Sequence, residues 1–108
     1  MDSSPIDEDV FEDLVQMAGD DGGVFVREVT EIFAHSAPEQ ARALSEAMAA
    51  GDPAKSRFFA HKLKGGALMV GALRVVAGCK LIEEHGAGAS VEAEVEAAIG
   101  WLRDHGYL

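Results

Sequence analysis

Residues 52–71 read Asp52-Pro53-Ala54-Lys55-Ser56-Arg57-Phe58-Phe59-Ala60-His61-Lys62-Leu63-Lys64-Gly65-Gly66-Ala67-Leu68-Met69-Val70-Gly71, and this stretch decides the fold class. Asp52-Pro53 has the form of a helix start: the carboxylate accepts an orphan N–H, and proline lacks the one that would go unpaired. With His61 at 0° on a wheel of about 100° per residue, Phe59 falls at about 160°, Val70 at about 180° and Leu63 at about 200°. Arg57 lies at about −40°, Lys64 at about −60°, Gly65 at about 40°, Phe58 at about 60° and Leu68 at about −20°. One side is apolar and the other carries a histidine among cations. The helix is therefore expected to bury Phe59, Leu63 and Val70 and to show His61 to solvent.

Outward from this stretch the apolar spacings remain helical, with no strand-like alternation. Ser4-Pro5-Ile6-Asp7 predicts a helix start with Ser4 as N-cap and Asp7 closing a capping box, followed by Ile6, Val10, Leu14 and Met17 on one face. Gly19-Asp20-Asp21-Gly22-Gly23 breaks that pattern. A long segment from Val24 to about Ala50 places Phe25, Val29, Ile32, Phe33, Ala41, Leu44 and Met48 in register. Pro38 inside it predicts a kink or a short break near Ser36, since it removes a donor and crowds the preceding turn. After Gly71, Ala72 to His85 reads as a helix closed by Gly86, with His85 as favourable charge at its end. Ser90 caps a last helix with Val91, Val95, Ala98, Ile99 and Leu102 on its face, stopped by Gly106. The expected fold is all-α: an up-and-down antiparallel four-helix bundle with a short extra N-terminal helix, forming a single domain over residues 1–108.

Composition narrows the function. A chain of 108 residues that is 48% apolar can build one core and is not a disordered segment. No apolar run approaches the ~18 residues of a membrane span. Asp2, Asp7, Glu8 and Asp9 give the start the wrong charge for a signal or transit peptide, so a complete, cytoplasmic protein is expected. The formal net charge is −10, which disfavours nucleic acid and anionic membranes as partners. Yet Ala54–Lys80 holds Lys55, Arg57, Lys62, Lys64, Arg74 and Lys80, six of the nine positive charges, and none of the 19 acidic ones. Such a patch on an acidic body suits a compact acidic partner docked through one face. No dimer seam is legible, so a monomer is the expectation.

Cys79 is alone, and its apolar neighbours Val75 and Ile82 in the series mark it as a buried small residue. His35, His85 and His105 fall on separate helices or ends, without the i, i+3 or i+4 pairing of bundle metal sites, so no metal ligand set is assigned. Trp101 and Tyr107 read as packing at the bundle end. Gly66 and Gly71 match the glycine spacing of a P-loop, but Ala72-Leu73 stands where its Lys and Ser/Thr would be, so no nucleotide site is expected.

What remains is His61. A neutral imidazole is a good nucleophile near pH 7, and a phosphoryl group on it is a reactive donor. Lys64, one turn away, can offset the charge of such a group, and Gly65 leaves the ring's flank open to a reaction partner. Phe58 and Leu68 add exposed apolar contact beside Arg57 and Lys62, which is the make-up of a docking surface.

The run His61-Lys62-Leu63-Lys64-Gly65-Gly66-Ala67, followed by Gly71-Ala72, resembles the signature of histidine-containing phosphotransfer domains of two-component phosphorelays. The resemblance extends over nearly the whole chain, taking in Phe33 and Pro38 before the motif and Leu81-Ile82-Glu83 after it. It implies a four-helix bundle whose His61 accepts a phosphoryl group from a receiver-domain aspartate and passes it to another receiver domain. By resemblance Lys64 supports the phosphoryl group, Gly65 gives access and Gly71 permits tight helix packing. It implies a phosphocarrier rather than an enzyme, with no cofactor on this chain and Mg²⁺ held by the partner receiver domain. Two positions depart from the pattern. Gly66 stands where many members have Ser or Ala, and Glu83 aligns with a Gln that orients the imidazole; a carboxylate there could accept the ring N–H but would sit near a negative phosphoryl group. The alternatives are a helical adaptor that binds a signalling partner through the same face without phosphorylation, and a bundle metalloprotein.

Overall fold

A computed structural model describes residues 4–108, so Asp2 of the charge argument lies outside the described residues. Five helices follow one another: α1 (Glu8–Ala18), α2 (Val24–Ala49), α3 (Pro53–Val70), α4 (Leu73–His85) and α5 (Glu92–Asp104), with no strand among the described residues. The fold is the expected all-α bundle with a short N-terminal helix. The links Ala50-Gly51-Asp52 and Gly71-Ala72 are short enough to make α2, α3 and α4 antiparallel neighbours. α3 packs along both α2 and α4; α5 lies mainly on α2 and lightly on α4, and α1 rests against α2 and α3.

The α3 start behaves as its sequence predicts: the Asp52 side chain accepts from Lys55 N at 3.0 Å, and Pro53 opens the helix. Ala60, Leu63, Ala67 and Val70 form its fully buried stripe, and the two alanines let neighbouring helices approach closely. Gly71 ends α3 with φ +75°, a left-handed conformation that a side chain would strain. A Cβ there would also stand 3.0 Å from Asp7 O and 3.1 Å from Val10 Cβ, so the close packing expected of Gly71 is against the start of α1.

Five expectations need correction. The N-cap of α1 is Asp7 rather than Ser4: its Oδ1 accepts from Asp9 N at 2.9 Å and Val10 N at 3.1 Å. The reason is tertiary, because Asp7 N donates to Gly71 O at 2.8 Å and fixes the entry of the helix, while Ile6 is buried ahead of it. The buried face of α1 is Phe11 and Leu14, and Met17 is 72% exposed. Phe11 wins because its ring has edge contacts to be made, with Tyr107 at 4.6 Å and Trp101 at 5.5 Å between centroids.

In α2 the buried residues are Val26, Thr30, Phe33, Ala37, Ala41, Leu44 and Ala47; of the expected face Phe33, Ala41 and Leu44 are among them and Phe25, Val29 and Met48 pack against them, but Ile32 is 65% exposed. Thr30 is a legitimate core residue because its hydroxyl donates to the carbonyl of either Arg27 or Tyr107, at 3.0 and 3.2 Å. The helix also runs unbroken through Pro38. Buried Phe33 and Ala37 before it and Ala41 and Leu44 after it hold both halves in line, outweighing one missing hydrogen bond. Finally, α5 begins after Val91, and Ser90 acts from just outside by accepting Glu92 N on its hydroxyl at 3.2 Å.

Candidate functional site

α3 turns His61 outward with its side chain 75% exposed, opposite fully buried Leu63 and Val70, as the wheel requires. Lys64 follows at i+3 and therefore lies on the same face. Gly65 is on the other flank, and beyond its chain neighbours and the adjoining helix backbone no described atom lies within 4 Å of where its Cβ would be. No contact within the fold demands a glycine there.

The third participant comes from α4. Val75, Val76, Cys79 and Ile82 are the buried residues of that helix, and Glu83 sits one turn beyond Cys79, at the edge turned toward α3. Its carboxylate spans the site. Oε2 lies 3.2 Å from His61 Nδ1, and Oε1 lies 2.7 Å from Lys64 Nζ. Oε1 has no hydrogen bond of good geometry, so its partner is the ammonium as an ion pair. Glu83, carried over only by alignment, thus meets both residues. The Lys64 ammonium first, and then His61, hold its carboxyl below the ordinary value of 4.5 against the opposing effect of burial. Glu83 is therefore an anion at neutral pH and only accepts; the His61 nitrogen facing it carries a proton, and in the neutral ring that puts the lone pair on Nε2.

The docking residues named from sequence are spread around this centre. Phe58 is 59% exposed, set edge-on to Phe59 at 5.2 Å, with Lys62 Nζ 5.6 Å above its ring. Leu68 is also exposed. Arg57 is tied down, its Nε donating to Glu83 O at 3.1 Å across the α3–α4 interface, so it braces the helix that presents Glu83. The basic stretch is partly neutralised from within: Lys64 pairs with Glu83, and Arg74 Nε lies 2.9 Å from Glu94 Oε2.

Beside the histidine face runs an apolar cleft between α2 and α3, lined by Val29, Ile32 and Phe33 on one side and Lys62, Gly66 and Met69 on the other. Sequence reading placed Ile32 in the core and missed it. The signal was present in the 26, 30, 33, 37 spacing, which leaves position 32 outside. Cys79 is buried, and burial first, then the charge of Glu83, push its thiol up to about 11 despite Lys64, so it stays protonated. His105 stacks on Trp101 at 3.8 Å, and His85 ends α4 next to Glu84. Among the described residues no three His, Cys, Asp or Glu side chains gather as metal ligands, and no helix is long and apolar enough to cross a membrane.

A family model described as the Hpt domain matches residues 28–105, from within α2 to just past the end of α5. α1 lies outside that span. Comparison with curated proteins and with solved structures gave no match.

Proposed function

The chain belongs to the Hpt domain family of two-component phosphorelays, and we propose that His61 is its phosphoacceptor, taking a phosphoryl group from the aspartate of one receiver domain and giving it to another. Hpt domains are phosphocarriers rather than enzymes, and receiver domains are their partners. The observation that carries the assignment is the side chain of His61, 75% exposed, with Nδ1 on Glu83 and Nε2 free to react.

In this reading Nε2 attacks the phosphorus of an aspartyl phosphate. The N–P bond forms, the P–O bond to the acyl oxygen breaks, and the aspartate leaves as carboxylate. Such transfer asks of the carrier placement and charge more than covalent chemistry. Lys64 is close enough to the ring to meet the transferred group, and Gly65 leaves the approach unobstructed. Phe58 and Leu68 supply apolar contact and Lys62 positive charge toward an acidic pocket. Mg²⁺ would belong to the receiver domain, the carrier would make no phosphoryl groups from ATP, and it would work in the cytoplasm as a monomer.

The test is incubation with a phosphorylated receiver domain. Acid-labile, alkali-stable label should appear on the wild type and be absent from His61→Gln, whose melting curve should be unchanged because the side chain is exposed. Label that persists in His61→Gln would remove His61 from the reading. Lys64→Ala should slow the transfer with the fold intact. Binding of the receiver without any label would instead favour an adaptor.

A further inference from the structure

The Glu83 side chain touches both of the site's other ionisable groups, at 3.2 Å from His61 Nδ1 and 2.7 Å from Lys64 Nζ. We propose, resting on the reading of His61 as phosphoacceptor, that the Glu83 carboxylate is a positioning residue that keeps the phosphoryl group on His61 short-lived and so favours its onward transfer.

Three consequences of the geometry act in that direction. The first concerns the proton. When Nε2 bonds to phosphorus, the ring keeps its Nδ1–H against Oε2, and the phosphorylated ring is held as a cation. When the next carboxylate oxygen attacks, the O–P bond forms and the N–P bond breaks, returning its electron pair to Nε2. The leaving imidazole is neutral, Nδ1–H is still in place, and no proton has to move. The second concerns Lys64, whose ammonium is already paired with Oε1 and can be only partly shared with a phosphoryl group. The third is repulsion: a full negative charge stands next to a ring that receives a group of about −1.5 to −2.

A neutral amide of the same shape could accept Nδ1–H equally well and keep the proton in place, but it would stabilise the ring cation less, form no ion pair with Lys64 and exert no repulsion on the phosphoryl group. Glu83 is held in place by packing at the α3–α4 interface and by Arg57, which grips its carbonyl at 3.1 Å. Among the described residues the charged and titratable groups that act on the carboxylate are His61 and Lys64 of α3, with the protonated thiol of Cys79 one turn back on α4, while Arg57 reaches only the Glu83 carbonyl.

The experiment loads wild type and Glu83→Gln with labelled phosphoryl from a phosphorylated receiver domain, removes the receiver, and follows decay of the label and its transfer to fresh receiver. The amide variant should hold its label about tenfold longer and release it more slowly, the size expected for loss of one charge interaction in a partly solvated site. The ¹⁵N shifts of His61 should report the Nδ1–H tautomer in both proteins, so that the change reflects charge rather than lost ring placement. Equal or shorter label lifetimes in Glu83→Gln overturn the proposal. Absence of label from wild type overturns the phosphoacceptor reading itself, a result distinct from equal lifetimes in two labelled proteins.

Discussion

The two faces of α3 are made from alternating parts of one eighteen-residue sequence and answer to different physics. On the inner face Ala60, Leu63, Ala67 and Val70 are wholly buried, each between neighbouring helices. On the outer face His61 is open, Gly65 meets nothing, and Phe58 and Leu68 leave apolar surface in water. The inner face is fixed by volume, because close-packed interiors register the loss of single methyl groups. At His61, Gly65, Phe58 and Leu68 the outer face has almost no role in holding the fold, which frees these positions for chemistry and contact, while Arg57 and Lys64 tie it to α4. Stability and function are thus separable by substitution within one helix.

The largest effect should come from Leu63→Ala. Removing a fully buried side chain at the centre of the bundle should cost about 2–5 kcal/mol, read from the denaturant midpoint. A loss under about 1 kcal/mol, the range of surface positions, would erase the distinction between the faces.

The glycines sharpen it further. Gly71→Ala puts a Cβ in a left-handed conformation and 3.0 Å from Asp7 O, and should destabilise by about 1–2 kcal/mol or more. Gly65→Ala meets open space and should stabilise by up to about 1 kcal/mol through helix propensity, while slowing phosphoryl exchange with a receiver domain. Equal losses of stability at the two positions would show that Gly65 has a structural duty too.

The smallest effect is on pH. Because the carboxyl of Glu83 is held below 4.5 by Lys64 and His61, its contribution to stability is complete above the unfolded value and is lost only as pH falls through the lower folded one. Stability owed to this group should therefore be flat from neutrality down to about pH 5. A ¹³C titration of the Glu83 carboxyl checks this: a midpoint at or above 4.5 contradicts the pairing, and Lys64→Ala should move the midpoint upward.

Local signals of the kind found at Asp52-Pro53 and Gly86 were legible because they act within one turn of chain. The signals at the N-terminus were not. Ser4 and Asp7 both satisfy the local pattern of a cap, and only the bond from Asp7 to Gly71 chooses between them. One position of α2 was misjudged for a similar reason: an apolar count cannot distinguish Ile32 from Val26 until the neighbours of each are known. Pro38 has a local cost that packing on both sides of it overrides.

The sequence by itself determined the helical class, the bounds of α3, the outward direction of His61 and the place of Lys64 and Gly65 beside it. All of these follow from a repeat of 3.6 residues and from caps read within a single turn. Only the tertiary structure decided that α1 starts at Asp7, that Thr30 is buried and Ile32 is not, and that Lys64 is paired before any partner arrives. The joining of Glu83 to His61 belongs with these, since the two are brought together by the packing of α4 on α3. Such contacts depend on where separate helices meet, and no period along the chain encodes that.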